Sequence, residues 1–388
     1  MNNLTEDFLE SVFSFNKLPD FYKTSNSNFT EKLNYTNAYN DFPDIKNNLV
    51  LVKDIPSYIS LETKALPKNI KHLSIDYYKG FAIKLDDVDN LQGYLKTRFG
   101  SSSRYKLRRS IKKLESAFDI SYKMYFGEID DIEYRFVFDE FFELLKIRSI
   151  EKGIPNNGNL NRKEYYQNLV LPLIKQKKAS LFVIYNGKKP IDICLNFHAD
   201  TLVFQLIRTY DICYSKFNTG YIDLMKQIEW CLDNNVRFIT FSYGDFYWKR
   251  RWCNFIYPYS FDVFYNKNSI KSIIKALKLI SNLKLRHKLR ERGIIDKFHE
   301  IKAKIDNKIT ASKEPNVEIS DIDFNVKINV GEKLNLYDSK YSIIRKLAFD
   351  FLFNFNEKEK DIKFYNIENK QNEYLIMGLK NKISISTK

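Results

Sequence analysis

The chain has 388 residues, 44% of them hydrophobic and 15% aromatic, with 63 Lys/Arg against 48 Asp/Glu for a net charge of +15. Its length exceeds one small core and predicts two or three domains, and no window approaches roughly 18 uninterrupted apolar residues, which excludes a membrane-spanning helix. The acidic start, MNNLTEDFLESVF, has no basic head before an apolar run, so no secretory signal is expected and the chain reads as cytoplasmic.

The basic excess is local. Lys267 to Lys308 holds 13 Lys/Arg against 4 Asp/Glu, and Arg98 to Lys113 holds seven basic residues and no acid. Clustered positive charge predicts an anionic partner. Cys194, Cys213, Cys231 and Cys253 form no CxxC pair, and the four histidines complete no ligand spacing. The cysteines are therefore expected as small buried apolar side chains in a reducing compartment, with no metal site.

Residues 1–95 read as a mixed α/β segment with strands at Asn47–Ile55 and Gly80–Asp86. Thr24–Asn40, rich in Asn, Ser and Thr, reads as loop. Ser101-Ser102-Ser103 supplies an N-cap for an amphipathic helix, RYKLRRSIKKLES, with Leu107, Ile111 and Leu114 on one face. On its other side Arg104, Lys106, Arg108 and Arg109 either hold a phosphate or carboxylate or simply face water. Ile120–Phe126 alternates as a strand. Ile132–Lys152 then reads as a long helix with Phe136, Phe141, Leu144, Leu145 and Ile147 mostly inward, followed by a helix over Arg162–Lys177.

A hairpin comes next: Leu181–Tyr185, a turn at Asn186-Gly187, and Pro190–His198. The second strand alternates, with Asp192, Cys194, Asn196 and His198 on one face and Ile193, Leu195 and Phe197 on the other. Thr201–Trp252 forms one crossover unit of strand (Leu202–Ile207), polar loop, helix opening at Tyr221 after Gly220, and strand (Val236–Phe241). The two strands are expected parallel and adjacent. The helix head, with its unpaired N–H groups above the strand ends, forms a cradle for phosphate.

Beyond Phe264, Ile270, Ile273, Ile274, Leu277 and Ile280 recur at helical spacing, as do Ile294, Phe298, Ile301 and Ile305, with Gly293 dividing two helices. This lysine-rich stretch either attaches to an anionic membrane surface or acidic polymer, or packs its apolar stripe on the preceding domain with its lysines in water. The expected order of the remainder is a polar linker at Lys313–Asn316 and then strand, strand, helix (Ser342–Phe353), strand, strand.

The order from Ser103 to Trp252 resembles the GNAT acyltransferase superfamily, most closely its FemAB-like and CelD-like polysaccharide-biosynthesis branch. Three stretches carry the resemblance: Arg104-Tyr105-Lys106-Leu107-Arg108-Arg109 as a basic helix, Leu181–Phe197 with its Gly187-to-Pro190 turn, and Gly244-Asp245-Phe246-Tyr247-Trp248-Lys249 running into Arg250-Arg251-Trp252. The last is similar to a G-D-x-x-Y-K-x-x-W ending. Thr240 stands where that branch has Asp and Trp248 where it has Tyr, and the glycine-rich loop is reduced to Ser215–Gly220.

The resemblance implies an α/β (α+β) fold with a GNAT-type mixed sheet flanked by helices, divided as 1–95 (fitting a degenerate first GNAT half), 96–266 (acyltransferase), 267–312 (basic helices) and 313–388 (small α+β appendage). It implies acyl-CoA, acetyl-CoA by preference, as co-substrate, bound where strands ending near Ile207-Arg208 and Phe241 splay apart. Ser215, Lys216, Gly220, Tyr221 and Ile222 would meet the pyrophosphate. Lys249, Asp245, Tyr247 and His198 are the catalytic candidates, and Arg104, Arg108, Arg109, Asp211 and Trp248 the substrate contacts. The implied acceptor is an amine on an anionic, nucleotide- or lipid-phosphate-linked sugar of the cell envelope, met at the inner membrane face. Two other readings stand beside it: a FemAB-like transferase fed by aminoacyl-tRNA, and a non-catalytic GNAT-fold binding module.

Overall fold

A nine-stranded mixed sheet runs through the protein, and the computed structural model describes residues 4–46, 48–153, 157–294 and 317–387. In chain order come β1 (Leu4–Asp7), β2 (Tyr22–Ser27), β3 (Tyr35–Thr36), β4 (Leu49–Pro56), β5 (Ile59–Thr63) and β6 (Ile70–Lys84). They are followed by β7 (Ile120–Tyr125), β8 (Ala179–Asn186), β9 (Lys189–Ala199), β10 (Leu202–Tyr210), β11 (Phe238–Tyr243) and β12 (Phe255–Asn266). The last are β13 (Val317–Ile322), β14 (Val330–Lys333), β15 (Lys363–Ile367), β16 (Glu373–Met377) and β17 (Lys382–Thr387). The helices are α1 (Phe8–Ser14), α2 (Leu91–Arg98), α3 (Ser101–Ala117), α4 (Asp131–Glu151), α5 (Lys163–Lys175), α6 (Thr219–Asp233), α7 (Tyr247–Trp252), α8 (Ile270–Glu291) and α9 (Ser342–Phe355).

The main sheet has the order β1-β4-β12-β6-β11-β10-β9-β8-β7. β1–β4 and β10–β11 are parallel and the other neighbours antiparallel. Because β12 lies between β4 and β6, the N-terminal strands and the later ones share one sheet. Apolar faces of α1, α4 and α5 pack on one side and those of α2, α3 and α6 on the other, so the central strands are buried on both faces. In α6 the apolar line Ile222, Met225, Ile228 and Leu232 follows helical spacing and lies in that second core. All four cysteines are buried.

Several elements depart from the sequence reading. Thr24–Asn40 carries β2, a 3-10 turn and β3, because β5 supplies ladder partners to a strand too polar to announce itself. Gly100, not a serine, caps α3, and Ser101–Ser103 form its first turn. Phe136 and Ile147 on α4 are exposed, while Phe141, Leu144 and Leu145 are buried. The strand β12 went unread although Tyr257, Tyr259, Phe261 and Val263 alternate along it. On α8 the buried line is Ser272, Ala276, Ile280 and Leu283, which leaves Ile270, Ile274 and Leu277 exposed. The helix expected from Ile294 to Ile305 and the linker Lys313–Asn316 lie outside the described residues, apart from Ile294 itself.

The C-terminal part forms a separate five-stranded antiparallel sheet, β13-β17-β16-β15-β14, with α9 against it. β17 is a strand beyond the sequence reading. α9 leans on the 3-10 turn Ile212–Phe217: Phe349 meets Tyr214 and Phe118 at 4.8 and 4.9 Å between ring centroids, and Phe353 meets Phe217 at 5.2 Å.

Candidate functional site

β10 and β11 are paired for only three steps, Leu202↔Phe238, Val203↔Ile239 and Phe204↔Thr240. Beyond Phe204 they separate. Each carries a register shift at that level. On β10 the pairing to β9 steps from Gln205 to Ile207, leaving Leu206 extra; on β11 the pairing to β6 slips between Thr240 and Tyr243. Bulges bend a strand and raise its twist, so two facing bulges turn a parallel ladder into an opening.

The free end of β11 is held by one side chain. Ser242 (φ +58°) and Gly244 (φ +100°) turn the chain outward, and the Lys249 ammonium donates to the carbonyls of Phe241 (2.7 Å), Ser242 (3.3 Å) and Tyr243 (2.7 Å). An ammonium has three N–H donors, and all three are occupied by main chain. Lys249 is 4% exposed, and burial pushes its pKa down to about 8. The carbonyls at the end of its helix are taken in turn by Arg98, which donates to the Arg250, Arg251 and Cys253 carbonyls, and by the Tyr94 hydroxyl, which donates to that of Trp252.

A cavity of about 630 Å³ opens at the gap between the head of α6 and the C-terminal end of α4. Arg148, Lys152, Arg208 and Lys249 line it, with no carboxylate among its described lining residues. Arg208 spans from Trp248, with its guanidinium 5.1 Å from the ring centroid, to the Gly220 carbonyl (3.0 Å) and the buried Asp223 (3.2 Å). Asp192 lies beneath, fully buried, its carboxyl raised by that burial and by the charge of Asp223. α6 begins at Thr219, two residues earlier than the sequence implied, because Asn218 adopts φ +60° and starts the helix directly. Tyr221 and Ile222 therefore donate their N–H groups to the Asn218 carbonyl and are not free for a phosphate. Thr219 and Gly220 form the head, and the buried Thr219 Oγ1 in the cavity wall has no partner. A helix head among cationic side chains suits an anionic ligand.

A second cavity of about 380 Å³ lies on the opposite face of the sheet and shares Leu206 and Phe241 with the first. The two cavities thus meet at one residue of each strand, Leu206 on β10 and Phe241 on β11. The second chamber is acidic: Asp7, Glu10 and Asp54 line it, and Arg162, the one cation among its described lining residues, is paired with Glu10.

Of the residues chosen from sequence, Arg208, Ser215, Gly220, Tyr221, Trp248 and Lys249 line the first cavity, and Ile207 the second. The others lie elsewhere. His198 pairs with Val203 at the closed end of the ladder and sits against Phe126 and Trp230, its ring nitrogen 2.7 Å from Ser180 Oγ; burial lowers its pKa to about 3. Asp211 caps the 3-10 turn through Cys213 N–H. Lys216 points to Asp350 and Phe353 on the appendage, because three residues per turn put Ser215 and Asn218 together and Lys216 away. Asp245 pairs with Arg250 at 2.5 Å, and Tyr247 is 72% exposed. Arg104 donates to the Phe99 carbonyl; Arg108, which reaches Gln92, and Arg109 are on the exposed side of α3. Arg148, Lys152, Asp7 and Asp54 were not among the sequence candidates.

Residues 101–250 match the family model described as acetyltransferase (GNAT) domain. This segment is similar to GNAT acyltransferase domains. It contains both strands of the opening and the whole lining of the cationic cavity, whereas Asp7, Glu10 and Asp54 on the other face come from outside it. Among solved structures the chain is similar to a conserved protein of unknown function from Bacteroides thetaiotaomicron VPI-5482, at 10% identity over 56% of this chain and 70% of that one, with a TM-score of 0.39. It is similar to FemX at 14% identity over 55% and 71%, with a TM-score of 0.38. A third is the C-terminal domain (DUF2156) assigned to a lysylphosphatidylglycerol synthetase of Agrobacterium fabrum, at 7% identity over 60% and 72%, with a TM-score of 0.35. No curated protein matches the chain in sequence.

Proposed function

We propose that the protein moves an acyl group, acetyl by preference, from acyl-CoA to an amine on a cell-envelope sugar or lipid precursor, by direct attack in a ternary complex. The observation that carries this reading is the opening between β10 and β11, with a cationic chamber on one face and an acidic one on the other meeting at Leu206 and Phe241. The helix head at Thr219-Gly220, with Arg148, Lys152 and Arg208, suits the diphosphate of the donor. Main-chain groups of β10 beyond Phe204, which have no β11 partner, suit the amide-bearing pantetheine arm. The thioester then lies in the gap, where an amine entering from the opposite face reaches its carbonyl carbon without passing the donor.

The acceptor's attachment to an anionic membrane surface belongs to the same proposal. Ile270, Ile274, Leu277 and Leu285 are exposed on α8 among Lys271, Lys275, Lys278 and Lys284, which suits a helix lying on anionic headgroups. No helix among the described residues is long and apolar enough to cross a membrane.

Thermal unfolding with acetyl-CoA, and separately with bulk tRNA, tests the donor. A ligand that binds only the native state raises stability by about 2.7 kcal/mol at a hundredfold excess over Kd. The expected result is a rise in Tm of a few degrees with acetyl-CoA and none with tRNA. A shift with tRNA alone would turn the reading to aminoacyl-tRNA, and no shift with either would leave a binding module.

A further inference from the structure

Asp54 occupies an unusual place on β4. The pairing of that strand to β12 steps from Ser260↔Ile55 to Asp262↔Val52, so Lys53 and Asp54 together face Phe261 in a bulge. Asp54 takes φ +64°, in the left-handed region that side chains other than Gly, Asn and Asp seldom enter. Its carboxyl thereby lines the acidic chamber rather than continuing the alternation of the strand. It is 8% exposed, and its Oδ1 has no hydrogen-bond partner.

The neighbours of this carboxyl fix its chemistry. Asp7 on β1 is close enough for its charge to act on it. Asp7 Oδ1 also caps α1 by accepting from Glu10 N–H at 3.0 Å, while its Oδ2 lies 3.6 Å from Lys53 Nζ. Around the chamber stand Glu10, tied to Arg162 and to Tyr165 (2.8 Å), together with Tyr166 and Tyr243. Tyr259 on β12 lies near enough for its phenol to be raised partly by Asp54. Burial first, then the charge of Asp7, pushes the Asp54 carboxyl up to about 7, against the opposing pull of Lys53. An aspartate held there exchanges protons near neutral pH, where a general base is most effective. An unpartnered oxygen in an anionic chamber is also a seat for a cation.

We infer that Asp54 is the general base of the acyl transfer and that the acidic chamber takes a protonated primary amine. This deepens the acyltransferase reading and rests on it. The Asp54 carboxylate removes one proton from the ammonium, freeing the nitrogen lone pair. The nitrogen then bonds to the acyl carbon as the carbon–sulfur bond breaks. The thiolate leaves with the bonding pair and receives the second nitrogen proton, so that an amide, a thiol and protonated Asp54 result, the last returning its proton to water.

The test is thiol release from acetyl-CoA by the full-length protein with ethanolamine, glucosamine and lysine as amine probes, for wild type, Asp54→Asn and Asp54→Glu across pH 5 to 9. The acetyl-CoA thermal shift is measured on each protein. The expected wild-type profile is an acid limb of kcat/KM that is half-maximal near pH 7 and levels off about one pH unit higher. Asp54→Asn should lose about 100-fold or more in kcat and lose that limb, while keeping the acetyl-CoA shift, because the donor cavity lies across the sheet. Asp54→Glu, which keeps the carboxylate, should recover part of the rate and an acid limb. Full turnover with an unchanged limb in Asp54→Asn would overturn the assignment, and so would a wild type that binds acetyl-CoA yet acylates none of the three amines. Absence of the acetyl-CoA shift in wild type would instead remove the donor assignment beneath it.

Discussion

Lys249 is where charge, main chain and cavity shape meet. Three carbonyls at the end of β11 have lost their ladder, and one buried ammonium answers all three. Replacing it with methionine keeps most of the stem and strands those carbonyls, each costing about 1 kcal/mol or more when left unpaired. Lys249→Met should therefore lose roughly 2–4 kcal/mol, read as a lower midpoint in urea. The pH dependence carries its own signature. The folded pKa of about 8 lies below the unfolded value near 10.4. The unfolded chain thus binds more protons between those limits, and the linked stability rises with pH through the window and falls away as pH drops through 8. Asp54 has the opposite sign: its contribution is complete below the unfolded value near 3.9 and is lost as pH rises through about 7. Wild type should show both slopes in urea midpoints taken across pH, and Lys249→Met should lack the alkaline one. The motif around Lys249 was legible in sequence; what its ammonium bonds was not, because that depends on where a bulged strand aims its carbonyls. Asp54 was hidden for the same reason, since in VLVKDIP it reads as one more strand residue.

The elements that sequence revealed were those with local signals. Asn186-Gly187 between apolar runs marked the β8–β9 hairpin, and Gly187 does take φ +57° at the turn. The crossover from β10 through α6 to β11 was also legible, with ends off by about two residues, because a contiguous apolar–polar–helical–apolar succession has few other arrangements. Arg208, Ser215, Gly220 and Trp248 reach one cavity for that reason. β12 has no counterpart in the sequence reading although its alternation is present, and Pro258 breaks the run that would have marked it. The packing of β12 beside β6 is tight where Tyr257 pairs with Gly80. A Cβ on Gly80 would lie 2.3 Å from Tyr257 Cζ and 2.7 Å from Tyr259 Cε2. Tyr257 in turn bonds Thr240, the last residue of β11 paired to β10, at 2.5 Å. Gly80→Ala should cost about 1–3 kcal/mol by overpacking and weaken acetyl-CoA binding through the shifted end of β11. Differential scanning calorimetry with and without the ligand checks both, and an unchanged Tm would remove the steric argument.

At the scale of the molecule, the two cavities that meet at the gap have opposite charge. The long-range order of the sheet, with β12 between β4 and β6, had no counterpart in the sequence, where strand neighbours are set by packing 170 or more residues apart, as Lys84 and Asn254 show. The exposed stripe of α8 gives a further expectation. The protein should sediment with vesicles containing one third phosphatidylglycerol and not with pure phosphatidylcholine. Ile274→Glu with Leu277→Glu should abolish this without lowering the acetyl-CoA shift, and equal sedimentation with both lipids would count against an anionic surface. The appendage bears on assembly of the catalyst. Phe349 and Phe353 are the far wall against which the turn leading to Thr219-Gly220 is set, so the floor of the cationic cavity is steadied by aromatic rings that lie outside residues 101–250.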